Sequence, residues 1–267
     1  MPREITSFSN ATVKLIRALR DKKARRDEGL FLAEGLRILA EARDEGHLPR
    51  IIAFSEKGAA HPLAAEIIAE TEEAGGDAII TTPDILSKMS GKDNAQMLLG
   101  AYEQPDTSLS QLDRTKADIW FVGEKLRDPG NIGTILRTGD AVGAGGLILI
   151  DDCADPFSVE TVRASMGALF TQRLAQASWD EFLPWLRSGD GQLVGTSLNT
   201  DFDYAAAPYA APCFILIGNE SQGLPTSYEQ ACDLLVKIPM AGKADSLNAA
   251  IAAAVTAFQV RASFRNR

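Results

Sequence analysis

The segment from Phe214 to Pro225 has the sequence FILIGNESQGLP, and it indicates the fold most clearly. Its four leading apolar residues are typical of a strand buried on both faces. A turn follows, in which an amide and a carboxylate lie between Gly218 and Gly223. Glycine allows a ligand to approach the backbone closely, and ligands of parallel sheets bind beyond the carboxyl ends of the strands. The segment therefore predicts an α/β sheet with a ligand-binding edge, and an ordinary strand-to-loop turn is the alternative interpretation.

Other segments of the same kind lie on either side of it. Apolar runs alternate with helical stretches in the second half of the chain, which predicts a parallel sheet covered on both faces. Polar or glycine-rich residues follow these runs, for example Gly123-Glu124 and Asp151-Asp152. The predicted strands of this sheet are 119–123, 147–150, 193–196, 214–217 and 234–238.

The N-terminal part of the chain predicts a separate, smaller α/β domain. Residues 104–115 are polar, contain Pro105 and lack periodicity, as is typical of a linker. We therefore expect a domain at 1–103, a linker at 104–115 and a second domain at 116–267. In the first domain, apolar spacing favours helices at 9–19, 30–42, 62–74 and 83–89 and strands at 50–54 and 77–81.

The composition is that of an ordinary globular protein, with 267 residues, 45% hydrophobic and 24% charged. No apolar run is long enough to span a membrane, and the N-terminus lacks the apolar segment of a signal peptide, so we expect a cytoplasmic protein. The three cysteines are widely spaced, and there are only two histidines, His47 and His61. We therefore expect neither disulfides nor a metal site.

The net charge of −9 argues, by itself, against a nucleic-acid partner. The distribution of charge points the other way, because seven basic residues and one acidic residue lie between Lys14 and Arg26. A solvated helix face explains such a run equally well, and composition alone does not decide. The candidate RNA-binding residues are Lys14, Arg17, Arg20, Lys22, Lys23, Arg25 and Arg26.

Residues 128–138, DPGNIGTILRT, form a second informative segment. A Pro-Gly turn leads into a predicted helix whose N-cap we expect to be Asn131. Arg137 lies in mid-helix among apolar and small residues, where a guanidinium requires anionic or carbonyl partners. An ordinary surface arginine is the alternative interpretation.

Residues 238–251, IPMAGKADSLNAAI, form a third such segment. A strand end and a glycine-containing loop precede an alanine-rich helix, for which we expect Ser246 to be the N-cap. A C-terminal packing helix would have the same pattern.

In their order and spacing, the three segments resemble the three motifs of the SpoU (TrmH-like) family of RNA 2'-O-ribose methyltransferases, within the SPOUT superfamily. Residues 163–170, RASMGALF, also resemble a segment of this family. The N-terminal residues 5–7, the basic run and residues 31–35 resemble the small RNA-binding domain, related to a ribosomal-protein fold, of many members. The resemblance covers nearly the whole chain. Ala250 departs from it, because several members have a serine that assists the site.

The resemblance implies a parallel sheet with a deep trefoil knot in the C-terminal domain, and S-adenosylmethionine as the methyl donor. Gly218, Ile238 and Leu247 are then expected to contact the cofactor largely through backbone groups. The full set of cofactor-binding residues that the resemblance implies is Thr196, Ser197, Gly218, Asn219, Gly223, Ile238, Met240, Ser246 and Leu247.

The resemblance also implies the catalytic residues and the assembly. Arg137 is expected to activate the ribose hydroxyl, and Asn131, Glu220 and Asn248 to position the hydroxyl or Arg137. Family members form homodimers through the catalytic domain. The C-terminal helix offers four apolar residues at helical spacing for such an interface, which are Leu247, Ile251, Val255 and Phe258.

Ribosomal RNA is the expected substrate, with transfer RNA as the alternative. A dinucleotide-binding enzyme is a rival because of the glycines in residues 142–152. However, that fingerprint requires a strand before its glycines and a helix after them, and here the order is reversed. A non-catalytic RNA-binding protein of the same fold is a second rival, although it would be expected to have lost Arg137 or the loop from Gly218 to Gly223.

Overall fold

The structure is a computed structural model that describes residues 2–219 and 221–265. Within these residues the strands are β1 (Arg3–Ile5), β2 (Leu30–Glu34), β3 (Ile51–Phe54), β4 (Asp77–Thr81), β5 (Leu98–Glu103), β6 (Ile119–Glu124), β7 (Gly146–Ile150), β8 (Arg173–Ala177), β9 (Gln192–Thr196), β10 (Cys213–Ile217) and β11 (Leu234–Val236). The helices are α1 (Ala11–Ala18), α2 (Lys22–Glu28), α3 (Leu36–Asp44), α4 (Glu56–Ala59), α5 (Pro62–Glu73), α6 (Pro83–Ser90), α7 (Pro129–Val142), α8 (Val159–Ser165), α9 (Ala168–Thr171), α10 (Trp179–Arg187), α11 (Thr226–Ala231) and α12 (Ala249–Arg265).

The chain folds into two compact units. The first runs to Pro105 and also contains Asp155–Thr171, whereas the second comprises Asp106–Ala154 and the chain from Gln172 onward. The first unit has a mixed five-stranded sheet in the order β1-β4-β3-β5-β2. In this sheet β1, β4 and β3 are parallel, while β5 is antiparallel to both β3 and β2.

The segment Asp155–Thr171 completes the core of the first unit. The Phe31 ring lies 5.3 Å from the Phe157 ring, 5.9 Å from Phe170 and 5.8 Å from Tyr102, measured between centroids. Such aromatic pairs each add about 0.5–1.5 kcal/mol beyond the burial of their area. Two of these rings come from a part of the chain that is distant in sequence from the rest of the unit.

The second unit contains an all-parallel six-stranded sheet in the order β11-β9-β10-β6-β7-β8. Every residue of β7 and β10 is buried, which is why these strands read as uninterrupted apolar runs. The predicted parallel sheet is confirmed, with β6 and β10 at its centre. Helices α7 and α12 pack against each other beside it.

Some of the predicted elements were wrong. The expected helix at 30–42 is β2 followed by α3. Leu30–Glu34 pairs antiparallel with β5, and Gly35, with a φ of 101°, separates the strand from the helix. Tertiary pairing overrides helical spacing here. Three strands, β1, β5 and β8, and two helices of the N-terminal part, α2 and α4, were not predicted.

Both predicted N-caps were wrong as well. Helix α7 is capped by Asp128, whose side chain accepts a hydrogen bond of 2.7 Å from the Gly130 N–H. At the start of α12, the Asn248 side chain accepts from the N–H groups of Ala250 and Ile251, so Asn248 is the cap rather than Ser246. Asn131 consequently lies inside the first turn of α7.

In the part of the chain that the structure describes, every helix is too short or too polar to cross a membrane.

Candidate active site

A cavity of about 320 Å³ opens where β9, β10 and β11 end at their carboxyl termini. This is the edge at which ligands bind to parallel sheets, and the volume lies within the range of about 300–1,000 Å³ of small-molecule sites. All nine residues that the sequence analysis assigned to cofactor binding line this one cavity, namely Thr196, Ser197, Gly218, Asn219, Gly223, Ile238, Met240, Ser246 and Leu247.

Two glycines shape the cavity wall. A Cβ on Gly218 would lie 2.5 Å from the Gly223 carbonyl carbon and 2.6 Å from the Leu224 nitrogen, which are impossible contacts with backbone atoms. Gly223 has a φ of +68°, in the region that favours glycine. The loop from Gly218 to Gly223 therefore folds back on itself closely enough to leave room for a ligand beside it.

Asn219 fixes this loop to the end of β6. Its N–H donates to a Glu124 carboxylate oxygen at 3.2 Å, and its side-chain Nδ2 donates to the Lys125 carbonyl at 2.9 Å. Its side-chain Oδ1 accepts from the Ser221 N–H at 3.0 Å. Glu124 is only 1% exposed, and this burial raises the pKa of its carboxyl group, opposed by the Asn219 hydrogen bond and the charge of Lys125. Asn219 thus ties this side of the site to the buried end of β6.

Asn131 and Asn248 come together although they lie far apart in sequence. The Asn248 Nδ2 donates to the Asn131 Oδ1 at 2.9 Å, and Asn131 is buried. Because Asn248 also caps α12, this hydrogen bond joins the first turns of α7 and α12. The structure therefore brings together two of the four predicted catalytic residues.

Arg137 lies elsewhere on α7. Its side chain is exposed, it is not among the residues that line the cavity, and within residues 2–219 and 221–265 it has no hydrogen bond or ion pair. Asn131 and Arg137 are six residues apart, so a regular helix directs them differently. The remaining predicted catalytic residue, Glu220, lies outside the described residues.

The basic run lies on α1, α2 and the turn between them. Six of its seven basic residues are exposed, namely Lys14, Arg17, Arg20, Lys22, Lys23 and Arg26. Arg25 differs, because it is 3% exposed and donates from Nε and Nη2 to the Asp155 carboxylate at 3.0 and 2.6 Å. Its Nη1 donates to the Leu19 carbonyl at 2.8 Å. The guanidinium of Arg25 is thus used inside the first unit.

Glu229, which lines the cavity from α11, was not predicted from the sequence. Its carboxylate accepts hydrogen bonds from the Ser197 hydroxyl and the Asn199 side-chain amide. No spacing pattern marks a glutamate on a short helix beyond a glycine loop, so only the fold reveals it. Ala250, the departure from the family pattern, is buried in α12.

The lining of the cavity suits a nucleoside-containing ligand. Apart from Glu229 its described residues are neutral, with apolar side chains such as Ile238 and Leu247 beside backbone groups near Gly218. No group of three or more His, Cys, Asp or Glu residues within the described chain could hold a metal ion.

Comparisons with known proteins agree with this arrangement. Residues 118–258 match the SpoU rRNA Methylase family, and residues 10–100 match the MRM3-like substrate binding domain. The 23S rRNA (uridine(2479)-2'-O)-methyltransferase of Streptomyces viridochromogenes is 33% identical over 96% of this chain and 91% of its own length. The 23S rRNA (guanosine(2553)-2'-O)-methyltransferase RlmP of Bacillus subtilis (strain 168) is 27% identical over 97% and 99% of the two chains.

Solved structures are similar over nearly the same length. An AdoMet-bound rRNA methyltransferase from Sinorhizobium meliloti superposes with a TM-score of 0.91 at 38% identity, covering 98% of both chains. The SpoU methyltransferase AviRb from Streptomyces viridochromogenes, in complex with AdoMet, has a TM-score of 0.84 at 29% identity over 96% of this chain and 98% of its own. With both its motifs and its architecture matched over almost its entire length, the chain belongs to the SpoU rRNA methylase family.

Proposed function

We propose that this protein transfers a methyl group from S-adenosylmethionine to a ribose 2'-hydroxyl of ribosomal RNA. The observation that carries the proposal is that one cavity, at the ends of β9, β10 and β11, gathers all nine residues expected at the cofactor. Two relatives that match nearly the whole chain are named as 23S rRNA 2'-O-methyltransferases, which favours ribosomal RNA over transfer RNA. An RNA substrate of this kind fits a protein that works in the cytoplasm.

The cavity residues hold and orient the methyl donor. When bound, S-adenosylmethionine supplies an electrophilic methyl group on a sulfonium. Gly218, Ile238 and Leu247 offer backbone donors and acceptors to it, because the glycine leaves the main chain bare and the other side chains are apolar. Thr196, Ser197, Met240 and Ser246 complete the wall around it, with Asn219 and Gly223 fixing the loop. This pocket requires no metal.

Arg137 acts on the hydroxyl of the RNA. A guanidinium stays protonated at neutral pH, so we assign it the role of positioning a phosphate and a ribose oxygen and of stabilising negative charge. Its exposure on α7 leaves all its donors available to an RNA strand. Asn131 and Asn248, joined by their 2.9 Å hydrogen bond, hold the first turns of α7 and α12 together. We assign Glu220, with these two residues, to positioning the hydroxyl or Arg137.

The first domain, residues 1–103, supplies most of the RNA affinity through the six exposed basic residues of α1, α2 and the intervening turn. Its match to a substrate-binding domain supports this assignment. Residues 104–115 serve as the linker to the catalytic domain at 116–267, whose loops at the cavity we expect to form the deep trefoil knot of the family.

The protein works as a homodimer that buries the outer face of α12. Ile251 and Phe258 are large apolar side chains that are 48% and 53% exposed, and Val255 lies between them at helical spacing. Leu247, the fourth residue expected in this interface, precedes α12 and lines the cavity instead. Light scattering at micromolar concentration should give twice the chain mass, and Phe258→Glu should give a monomer. A monomeric wild-type protein would contradict the dimer.

The activity is tested by supplying methyl-labelled S-adenosylmethionine to the full-length protein with 23S rRNA lacking its natural modifications. We expect label in one ribose, found by mapping 2'-O-methyl groups in RNA from cells with and without the gene. Label in transfer RNA alone would establish the alternative substrate. Binding of RNA and cofactor without transfer to any RNA would identify a non-catalytic RNA-binding protein.

A further inference from the structure

Glu229 is the one ionisable side chain among the described residues that line the cavity. It is half-buried and projects from α11, beyond the loop from Gly218 to Gly223. Within the described chain it has no cationic partner, and its hydrogen bonds come only from neutral groups. A carboxylate in such a wall reduces the affinity for apolar ligands unless a ligand group donates to it.

The carboxylate of Glu229 is held in one orientation. The Ser197 hydroxyl donates to Oε1, and the Asn199 amide lies 3.2 Å from both Oε1 and Oε2. Ser197 is itself fixed, because its N–H donates to the Val236 carbonyl at 2.9 Å and its hydroxyl accepts from the Asn199 N–H at 2.9 Å. The loop after β9 thus keeps Glu229 at the cavity wall.

The acceptor sites of this carboxylate are only partly used. Two carboxylate oxygens offer about four lone-pair sites, and Oε1 accepts from two donors while Oε2 shares one. Oε2 therefore retains room for a further donor. A vicinal diol can present two hydroxyl groups to one carboxylate, and in nucleotide-binding sheets an acidic residue near a strand end commonly accepts from the ribose.

We propose that Glu229 recognises the ribose 2'- and 3'-hydroxyl groups of the cofactor, with Ser197 and Asn199 as the residues that position it. This inference rests on the proposed function, because it presupposes S-adenosylmethionine in the cavity. It places the adenosine ribose, and not the methionine ammonium, beside the carboxylate of Glu229. Glu229 is therefore a specificity-determining residue for the intact ribose.

The test is calorimetry with the full-length protein and two ligands that share the ribose. S-adenosylmethionine carries the ammonium, whereas 5'-methylthioadenosine lacks the whole amino-acid portion. Glu229→Gln should weaken both ligands to a similar extent, by about tenfold to a hundredfold, as expected for loss of a charge-assisted hydrogen bond. Asp180→Asn, which removes an exposed acidic group from α10 outside the cavity, should leave both affinities unchanged.

A second arm does not depend on the variant. The 2'-deoxy and 3'-deoxy forms of 5'-methylthioadenosine should bind the wild-type protein more weakly than the parent ligand, and Glu229→Gln should remove most of that difference. Equal binding of parent and deoxy ligands by the wild-type protein overturns the inference, even if Glu229→Gln fails to fold. Weakening of S-adenosylmethionine with unchanged 5'-methylthioadenosine affinity assigns Glu229 to the ammonium and also overturns it.

The same titrations separate this inference from the proposed function. If the wild-type protein binds neither S-adenosylmethionine nor 5'-methylthioadenosine, the proposed function fails and the inference fails with it. If the wild-type protein binds both and Glu229→Gln binds them equally well, only the role of Glu229 is rejected.

Discussion

The two faces of α7 contrast in how their polar side chains are satisfied. On the inner face Asn131 is 6% exposed and accepts a hydrogen bond from Asn248. On the outer face Arg137 is exposed and has no hydrogen bond or ion pair in the described chain. The short helix α2 repeats the contrast, with Arg25 bound to Asp155 and Lys22 exposed.

This difference separates polar groups that stabilise the fold of the site from polar groups that stay exposed and available to a ligand. A buried polar side chain without a partner is costly, so the inner residues must find theirs within the chain. An exposed guanidinium or ammonium loses little by remaining in water, and it can therefore be kept for RNA. Variants on both helices test this division.

The largest effect is expected from the inner face of α2. Arg25→Met should destabilise the protein by about 3–5 kcal/mol, because it leaves the Asp155 carboxylate, whose side chain is only 14% exposed, without its charge partner. Thermal unfolding measures this loss. Arg26→Ala, which changes a neighbouring side chain that is 78% exposed, is the matched control and should change stability little.

The double variant Arg25→Met with Asp155→Asn identifies the cause of that loss. It removes both charges and retains an amide oxygen that can accept from the Phe157 N–H, as the Asp155 carboxylate does at 2.9 Å. Most of the stability should return. If the double variant is no more stable than Arg25→Met alone, packing rather than the ion pair accounts for the effect.

Arg137→Ala is expected to have the next largest effect. Methyl transfer should fall by about a hundredfold to a thousandfold, or about 2.7–4 kcal/mol, as when one preorganised electrostatic group is deleted. Cofactor affinity should not change, because Arg137 does not line the cavity. Single-turnover rates on RNA at saturating S-adenosylmethionine measure the loss, and a wild-type rate would remove Arg137 from the mechanism.

Arg137→Lys distinguishes positioning from charge alone. Lysine keeps the positive charge but lacks the planar fork that can hold a phosphate and a ribose oxygen together. A positioning role predicts a rate nearly as low as that of Arg137→Ala. Recovery of most of the wild-type rate would favour a simple electrostatic role.

Gly218→Ala should weaken cofactor binding by about tenfold to a hundredfold, since forcing a methyl group into a filled space costs about 1–3 kcal/mol. The new Cβ would meet backbone atoms of Gly223 and Leu224, so the loop must move and the cavity with it. Gly242→Ala is the control, because a Cβ there meets nothing within 4 Å. Equal affinities of the two variants in calorimetry would contradict a tightly folded loop.

How far the sequence predicts this molecule depends on whether a feature is local. The strands β7 and β10 are buried on both faces, so their apolar runs and the parallel sheet were predicted correctly, and the three motifs led to the right family. The prediction for the segment Leu30–Glu34 was wrong because its conformation is set by β5, some seventy residues away. Its apolar spacing fitted a helix equally well.

Some residues have roles that depend on partners distant in sequence, and these roles were not predicted. The nine cavity residues were expected from the family resemblance, and the structure gathers them at the edge where β9, β10 and β11 end. The burial of Arg25 was not predicted, because Asp155 is 130 residues distant and nothing near Arg25 distinguishes it from Lys22 or Lys23. Glu229 was not predicted for the same reason, because its partners Ser197 and Asn199 are about thirty residues away in sequence.

The smallest effect is expected from single basic residues on the exposed side of α2. Lys22→Ala should lower the affinity for RNA only modestly, but it should reduce the slope of log K against log salt concentration by up to about 1 if Lys22 contacts one phosphate. Lys116→Ala changes an exposed lysine outside the basic run and should leave the slope unchanged. Fluorescence titrations at several salt concentrations supply the slopes.

The slope is more informative than the affinity, because lost packing elsewhere would weaken binding at every salt concentration alike, whereas a lost phosphate contact removes counterion release. If Lys22→Ala and Lys116→Ala give the same slope as the wild-type protein, and the other five exposed residues of the run do too, RNA binds elsewhere and the outer face of α2 is merely solvated.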